Sequence, residues 1–215
     1  MRFKSRVLLI SVLCFTKFLG TPVIAQSDDE QMRLSDAPTN ADQQRISSEK
    51  SYQEILENWD HVDSVNQWIG KYFGYDMSRA LKLGEGSDLR SKTKILTPEE
   101  FYENPNGVCL DLSRFAVETL RKMPQEYEAN YLMIEFEPIT IKGSTLSKHW
   151  IAVYKDQNGL FNFTADSKYP GRKYEGYSDV ASFVSEYETL RDRKILRYQI
   201  VPTYEKKKKK LKKAK

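Results

Sequence analysis

The stretch "TPEEFYENPNGVCLDLSRFAVETL", residues 97–120, decides how this chain reads. Thr97 is placed to cap a short helix, with Pro98 at its first position and Glu100 three residues on. Pro105 and Gly107 end that helix. A second one starts at Cys109. Leu112, Phe115, Ala116, Thr119 and Leu120 then share one stripe, with Arg114, Glu118 and Arg121 elsewhere, so one face is buried. A buried structural cysteine needs no glycine before it and no helix start. A cysteine that attacks does. The thiolate is the reactive form, and a helix N-terminus offers unpaired amides and partial positive charge to an anion. Gly107 lets the chain turn and leaves space beside the sulfur. The setting predicts a depressed thiol pKa, with the Cys109 amide as an oxyanion donor.

Upstream, Tyr52, Ile55, Leu56, Trp59, Val62, Val65, Trp68 and Ile69 recur at three- and four-residue steps. They predict one long helix, or two joined near Asp60. "GYDMSRALKLGEGSDLRSKTK", residues 74–94, is turn-rich and reads as irregular. Downstream of Pro124 the period changes. "NYLMIEFEP", "KHWIAVYK", "LFNFTAD" and "ILRYQIVP" are short β-branched and aromatic runs. Asn158-Gly159 joins the second and third as a hairpin. "SDVASFVSEYETLR" is a last helix, capped by Ser178 or Asp179, with Val180, Phe183, Val184 and Tyr187 on one face. Helices precede strands, so the fold class is α+β with an antiparallel sheet.

A thiol nucleophile needs a base, and the base an orienting partner. The chain has two histidines. His61 lies among charged residues of the first helical segment. His149 opens the strand "HWIAVYK", and the next strand ends at Asp166. A hairpin at Asn158-Gly159 brings Asp166 back toward His149, where its carboxylate holds the imidazole in the needed tautomer. Each residue has a plainer reading: Cys109 as a core thiol, His149 as a strand residue, Asp166 as the start of a turn. Together, in this order and on these elements, the plainer readings weaken. Trp59, Trp68 and Trp150 read as core residues.

The ends differ from the body. Arg2, Lys4 and Arg6, the apolar run "VLLISVLCF", and Val23 and Ala25 at the −3 and −1 places form a secretory signal pattern, residues 1–25, with cleavage after Ala25. The apolar run is too short to span a bilayer, and Leu13 before Cys14 does not suit lipidation. Residues 26–47 read as a flexible polar leader, 48–204 as the folded domain, and 205–215 as a disordered Lys-rich tail. Of 34 basic and 30 acidic residues, the signal takes four basic ones and the tail eight lysines and one acid. The body keeps 22 and 29, a formal charge of −7. A basic folded face for nucleic acid is therefore not expected. The tail offers electrostatic docking to an anionic envelope surface. Signal removal leaves Cys109 alone, a free thiol in a compartment where cysteines usually pair. The expected location is periplasmic or secreted.

Residues 97–120, followed by "KHWIAVY" and "LFNFTADSKYPG", resemble the transglutaminase-like superfamily of papain-fold cysteine enzymes, and within it the bacterial transglutaminase-like cysteine proteinases. The likeness runs from about Trp59 to Asp166. It implies a papain/transglutaminase-like core and a catalytic Cys109, His149 and Asp166. A calcium-dependent periplasmic member has acidic residues on both sides of its cysteine. Here the neighbours are Val108 and Leu110, so no metal and no cofactor is expected. Asp111 reads as favouring the helix N-terminus. The function expected is hydrolysis of amide bonds in a protein or peptide substrate through an acyl-thioenzyme. The alternatives are glutamine transamidation, which shares that intermediate, and a non-catalytic peptide-binding module of the same fold.

Overall fold

The computed structural model describes residues 50–205, except Glu126. The expected signal segment, the leader and the tail from Lys206 onward lie outside these residues.

The first helical stretch is two helices. α1, Tyr52–Asn58, starts at a capping box: the Glu54 amide donates to Ser51 Oγ at 3.3 Å, and the Ser51 amide donates to Glu54 Oε2 at 2.6 Å. The chain turns extended at Trp59, and α2, Val62–Tyr72, restarts with His61 as its cap. A two-residue strand β1, Gly74–Tyr75, follows, then α3, Met77–Leu83, and a single 3₁₀ turn, Arg90–Lys92. The expectation of irregular structure over residues 74–94 is therefore corrected. Asp76 accepts the Arg79 amide at 2.9 Å and starts a helix that the surrounding glycines disguise. α4, Pro98–Glu103, has the Thr97 and Glu100 capping box and Pro98 at its start. β2, Asn106–Gly107, pairs with β1 in parallel and delivers the chain to α5, Cys109–Lys122.

The strands are β3, Asn130–Ile141; β4, Ser144–Lys155; β5, Phe161–Thr164; β6, Tyr174–Tyr177; and β7, Ile195–Val201. α6, Val180–Arg191, capped by Asp179, lies between the last two. Among the described residues they form one antiparallel sheet of order β6-β5-β4-β3-β7. β6 has no counterpart in the sequence reading; it is a four-residue edge strand. Gly159 at φ 79° makes the β4–β5 turn, and Asp156 Oδ1 accepts the amides of Asn158 and Leu160 across it.

Alternate strand residues face opposite ways, and both faces are covered. Tyr131, Ala152 and Tyr154 pack under Trp68, Phe101 and Phe115 of α2, α4 and α5. Leu132, Ile134, Ile151 and Phe163 pack under Phe183, Val184 and Tyr187 of α6. The predicted stripe of α5 is fully buried from Leu112 to Leu120. Burial at about 25 cal/mol per Å² of apolar surface is the main force holding these layers. It fixes where the α5 N-terminus meets the sheet.

Candidate active site

The α5 N-terminus is held by one buried carboxylate. Asp111 accepts the Val108 amide at 3.1 Å, reaching back to the residue that precedes the helix. It also accepts the Leu96 amide at 2.8 Å and Arg79 Nε at 2.7 Å, with Arg79 Nη2 at 3.2 Å. Asp111 is fully buried. Its part is larger than helix-dipole compensation: it ties α3, the 94–96 segment and α5 together beneath Cys109. Gly107 has a related task. A Cβ there would sit 2.9 Å from Asp111 Cβ and 3.0 Å from the Phe101 ring. The glycine makes room for the anchor rather than for the sulfur.

Cys109 is half-buried, at the first position of α5. Its amide is one of the four that helix geometry leaves without an intrahelical partner. The sheet meets the sulfur at an opened edge. β4 and β5 pair only as far as Ala152 and Thr164. Ala165 then takes φ 60°, the left-handed region, and the chain leaves the ladder. The Trp150 amide, on the β4 edge beyond that point, lies close enough to the Cys109 sulfur to favour its thiolate. Trp150 is the residue after His149, so the helix start and the candidate base adjoin.

His149 Nε2 lies 3.0 Å from Asp166 Oδ1. Ionised Asp166 only accepts, so Nε2 carries the hydrogen and Nδ1 is left as the basic atom. Asp166 is fully buried and saturated. The Lys168 amide also donates to Oδ1, at 2.9 Å, while Tyr174 and Tyr187 hydroxyls donate to Oδ2 at 2.7 Å and 2.9 Å. Burial alone would raise its pKa. The His149 hydrogen bond and the His149 and Arg191 charges outweigh that, and the carboxyl is held well below the usual range. Burial pushes the His149 pKa down, with Asp166 opposing and Arg191 and Arg193 assisting. Burial pushes the Cys109 thiol up to about 11, against a smaller lowering by the Trp150 amide. The expected depression of the thiol pKa is thus corrected: desolvation of the sulfur, with the Asp111 and Asp166 charges, outweighs the Trp150 amide and Arg191, which favour the thiolate. Burial thus favours the uncharged form of both the thiol and the imidazole.

The structure joins His149 to Asp166, sets Trp150, the residue after His149, on the cleft that Cys109 lines, and leaves His61 apart. His61 caps α2 and lines a separate shallow depression of about 920 Å³ that contains none of the three. Cys109 opens into a surface cleft of about 540 Å³, lined also by Tyr75, Val108, Met133, Trp150 and Tyr204. Trp59 and Trp68 are core residues as expected. Trp150 packs on the core and also forms cleft wall. Sequence reasoning did not find Arg79, Tyr174 or Arg191, and it took Tyr187 only as an apolar-face residue. A signal for Tyr187 exists: a tyrosine on a buried stripe must find a partner for its hydroxyl.

A family model described as "Transglutaminase-like domain" matches residues 47–198. The chain belongs to the transglutaminase-like family. A solved structure similar to it is that of Legionella pneumophila LapG in its calcium-bound form. The identity is 13%, over 86% of this chain and 91% of that one, with a TM-score of 0.35. No curated protein matches the chain. Among the described residues of this chain, no group of three or more His, Cys, Asp or Glu side chains has metal-holding geometry, and the neighbours of Cys109 carry no charge.

Proposed function

We propose that the protein is an exported thiol hydrolase that cleaves amide bonds in polypeptides, with Cys109 as nucleophile, His149 as base and Asp166 as its orienting partner. The observation that carries this reading is the His149–Asp166 pair at 3.0 Å, set beside a half-buried thiol that opens into a cleft. Asp166 fixes the tautomer that leaves Nδ1 basic. His149 Nδ1 takes the thiol proton as the Cys109 sulfur attacks the substrate carbonyl carbon. The negative charge that develops on the carbonyl oxygen is met by the Cys109 amide. The C–N bond breaks as His149 returns the proton to the leaving amine, and an acyl-thioenzyme remains. Water then attacks the thioester, again giving a proton to His149. The C–S bond breaks, and the thiol is restored.

Creating the thiolate only as it attacks suits a site where the resting thiol is protonated. A charged pair held permanently in this burial would be costly. A surface cleft lined by Tyr75, Met133, Trp150 and Tyr204 accepts an extended chain and its apolar side chains. The secretory pattern of residues 1–25 supports a substrate among envelope and extracellular proteins. The test incubates the protein with an envelope extract and a fluorescent primary amine. Shortened fragments that vanish in Cys109→Ala support hydrolysis. Cys109-dependent incorporation of the amine without fragments overturns it in favour of transamidation.

A further inference from the structure

Asp166 is connected to more than His149. Tyr187 donates its hydroxyl to Asp166 Oδ2 at 2.9 Å and accepts Arg191 Nη1 at 2.7 Å. The Tyr187 ring lies along the His149 ring, with centroids 6.1 Å apart and planes 14° apart. One side chain therefore touches both members of the pair. Arg191, one helical turn further along α6, lays its guanidinium over Phe136 at 5.3 Å and over Tyr187 at 5.5 Å. An arginine in the last turn of a helix ordinarily serves the helix dipole from solvent. This one turns inward.

We propose that Tyr187 and Arg191 are positioning residues for the His149–Asp166 pair: Tyr187 fixes the plane of the imidazole and the orientation of the carboxylate, and Arg191, acting through Tyr187, is the countercharge of Asp166. This rests on the reading of His149 as the base. Asp166 comes from the end of β5, Tyr174 from β6, Tyr187 and Arg191 from α6, Arg193 from the turn after it, and Cys109 from α5. β3 contributes Phe136, which is uncharged. Arg193 is spent on the carbonyls of Glu137 and Leu146. Arg191 is thus the cation linked to the carboxylate by a hydrogen-bonded path. Without it, Asp166 acts on His149 with less of its charge balanced. The imidazole then holds a proton at higher pH and stops serving as a base.

The experiment follows alkylation of Cys109 by iodoacetamide in the full chain from about pH 4 to 9, read by mass spectrometry on the peptide that carries Cys109. The wild-type rate should rise through a limb set by His149. Tyr187→Phe keeps the stacked ring and loses the hydroxyl; Arg191→Gln loses the charge; Arg191→Lys keeps it. The limb should move up by about half to one pH unit in the first two, a three- to tenfold slower reaction on the limb, and Arg191→Lys should restore most of it. Melting temperatures are recorded alongside. A lower melting temperature with the limb unmoved in both Tyr187→Phe and Arg191→Gln shows purely structural residues and overturns the proposal. A wild-type limb that is absent, or that survives His149→Gln, overturns the reading of His149 as base instead.

Discussion

Replacing Asp111 with alanine should be among the most damaging single changes in this fold, although Asp111 takes no part in the chemistry. Its carboxylate accepts from the Val108 amide at 3.1 Å, the Leu96 amide at 2.8 Å and Arg79 at 2.7 and 3.2 Å. Alanine leaves two amides and a guanidinium without that partner. An orphaned buried amide costs about 1–3 kcal/mol. Breaking a buried ion pair from one side costs about 3–5 kcal/mol. Arg79 keeps 18% side-chain exposure and its bond to the Lys94 carbonyl, which brings the pair to the low end. With water entering the vacated space, the total should be ~4 kcal/mol, close to the whole stability of a marginal domain, ~5–15 kcal/mol. Urea unfolding of the wild type, Asp111→Ala, Asp111→Asn and the double variant Asp111→Ala/Arg79→Met measures it. Asparagine keeps one acceptor oxygen and should lose roughly half as much. The double variant should cost less than the sum of the single ones, because it leaves no unpaired guanidinium. A loss below ~1 kcal/mol in Asp111→Ala would refute the anchor reasoning, since even one orphaned amide should cost that much.

Asp166→Asn removes the charge that fixes the His149 tautomer, and turnover by the Cys109-dependent reaction should fall by about a thousandfold or more with the fold retained. Circular dichroism checks the fold and fragment yield the rate. Stability should peak near neutral pH in urea titrations. The His149 and Asp166 pKa values are both depressed in the fold, so unfolding gains protons as pH falls below about 6.5 and again below about 4. The Cys109 pKa is raised, so the unfolded thiol ionises first and stability declines from about pH 8.5 toward 11. A stability flat from pH 4 to 7 would contradict the first limb. Gly107→Ala places a methyl 2.9 Å from Asp111 Cβ, so it should destabilise by ~1–3 kcal/mol and slow Cys109 alkylation or turnover. An unchanged melting temperature would show that the anchor yields freely.

What the sequence discloses here is what local rules govern. The α5 stripe follows from three- and four-residue spacing, the start of α4 from Thr97, Pro98 and Glu100, and the β4–β5 hairpin from Asn158-Gly159. Counting back along that hairpin brings Asp166 to His149, and the bond is there at 3.0 Å. What stays hidden depends on distant partners. α3 lies among glycines and shows little apolar pattern, yet it carries Arg79 to Asp111 across 32 positions of sequence. β6 is four residues at an edge, too short for alternation to register. Periodicity spans the α1–α2 break because both helices bury the same face, and the extended backbone at Trp59 leaves no mark in it. The thiol pKa depends on burial in three dimensions. A helix start is legible in the sequence, but the desolvation that opposes it is not.

The left-handed turn at Ala165 works like the stop at the end of a zipper. Two strands that run antiparallel will close for as long as their backbones stay extended. Two residues beyond Ala152 and Thr164, the next teeth would be Trp150 and Asp166. Closure there would engage the backbone of Trp150 beside the Cys109 sulfur and pull Asp166 into the ladder. The candidate site therefore exists because a sheet is kept from finishing, and the catch is one backbone dihedral on a residue with no chemistry in its side chain. A lesion that straightened residue 165 would leave the thiol, the imidazole and the carboxylate all present in a folded protein that does nothing. An inventory of reactive side chains would record such a protein as intact.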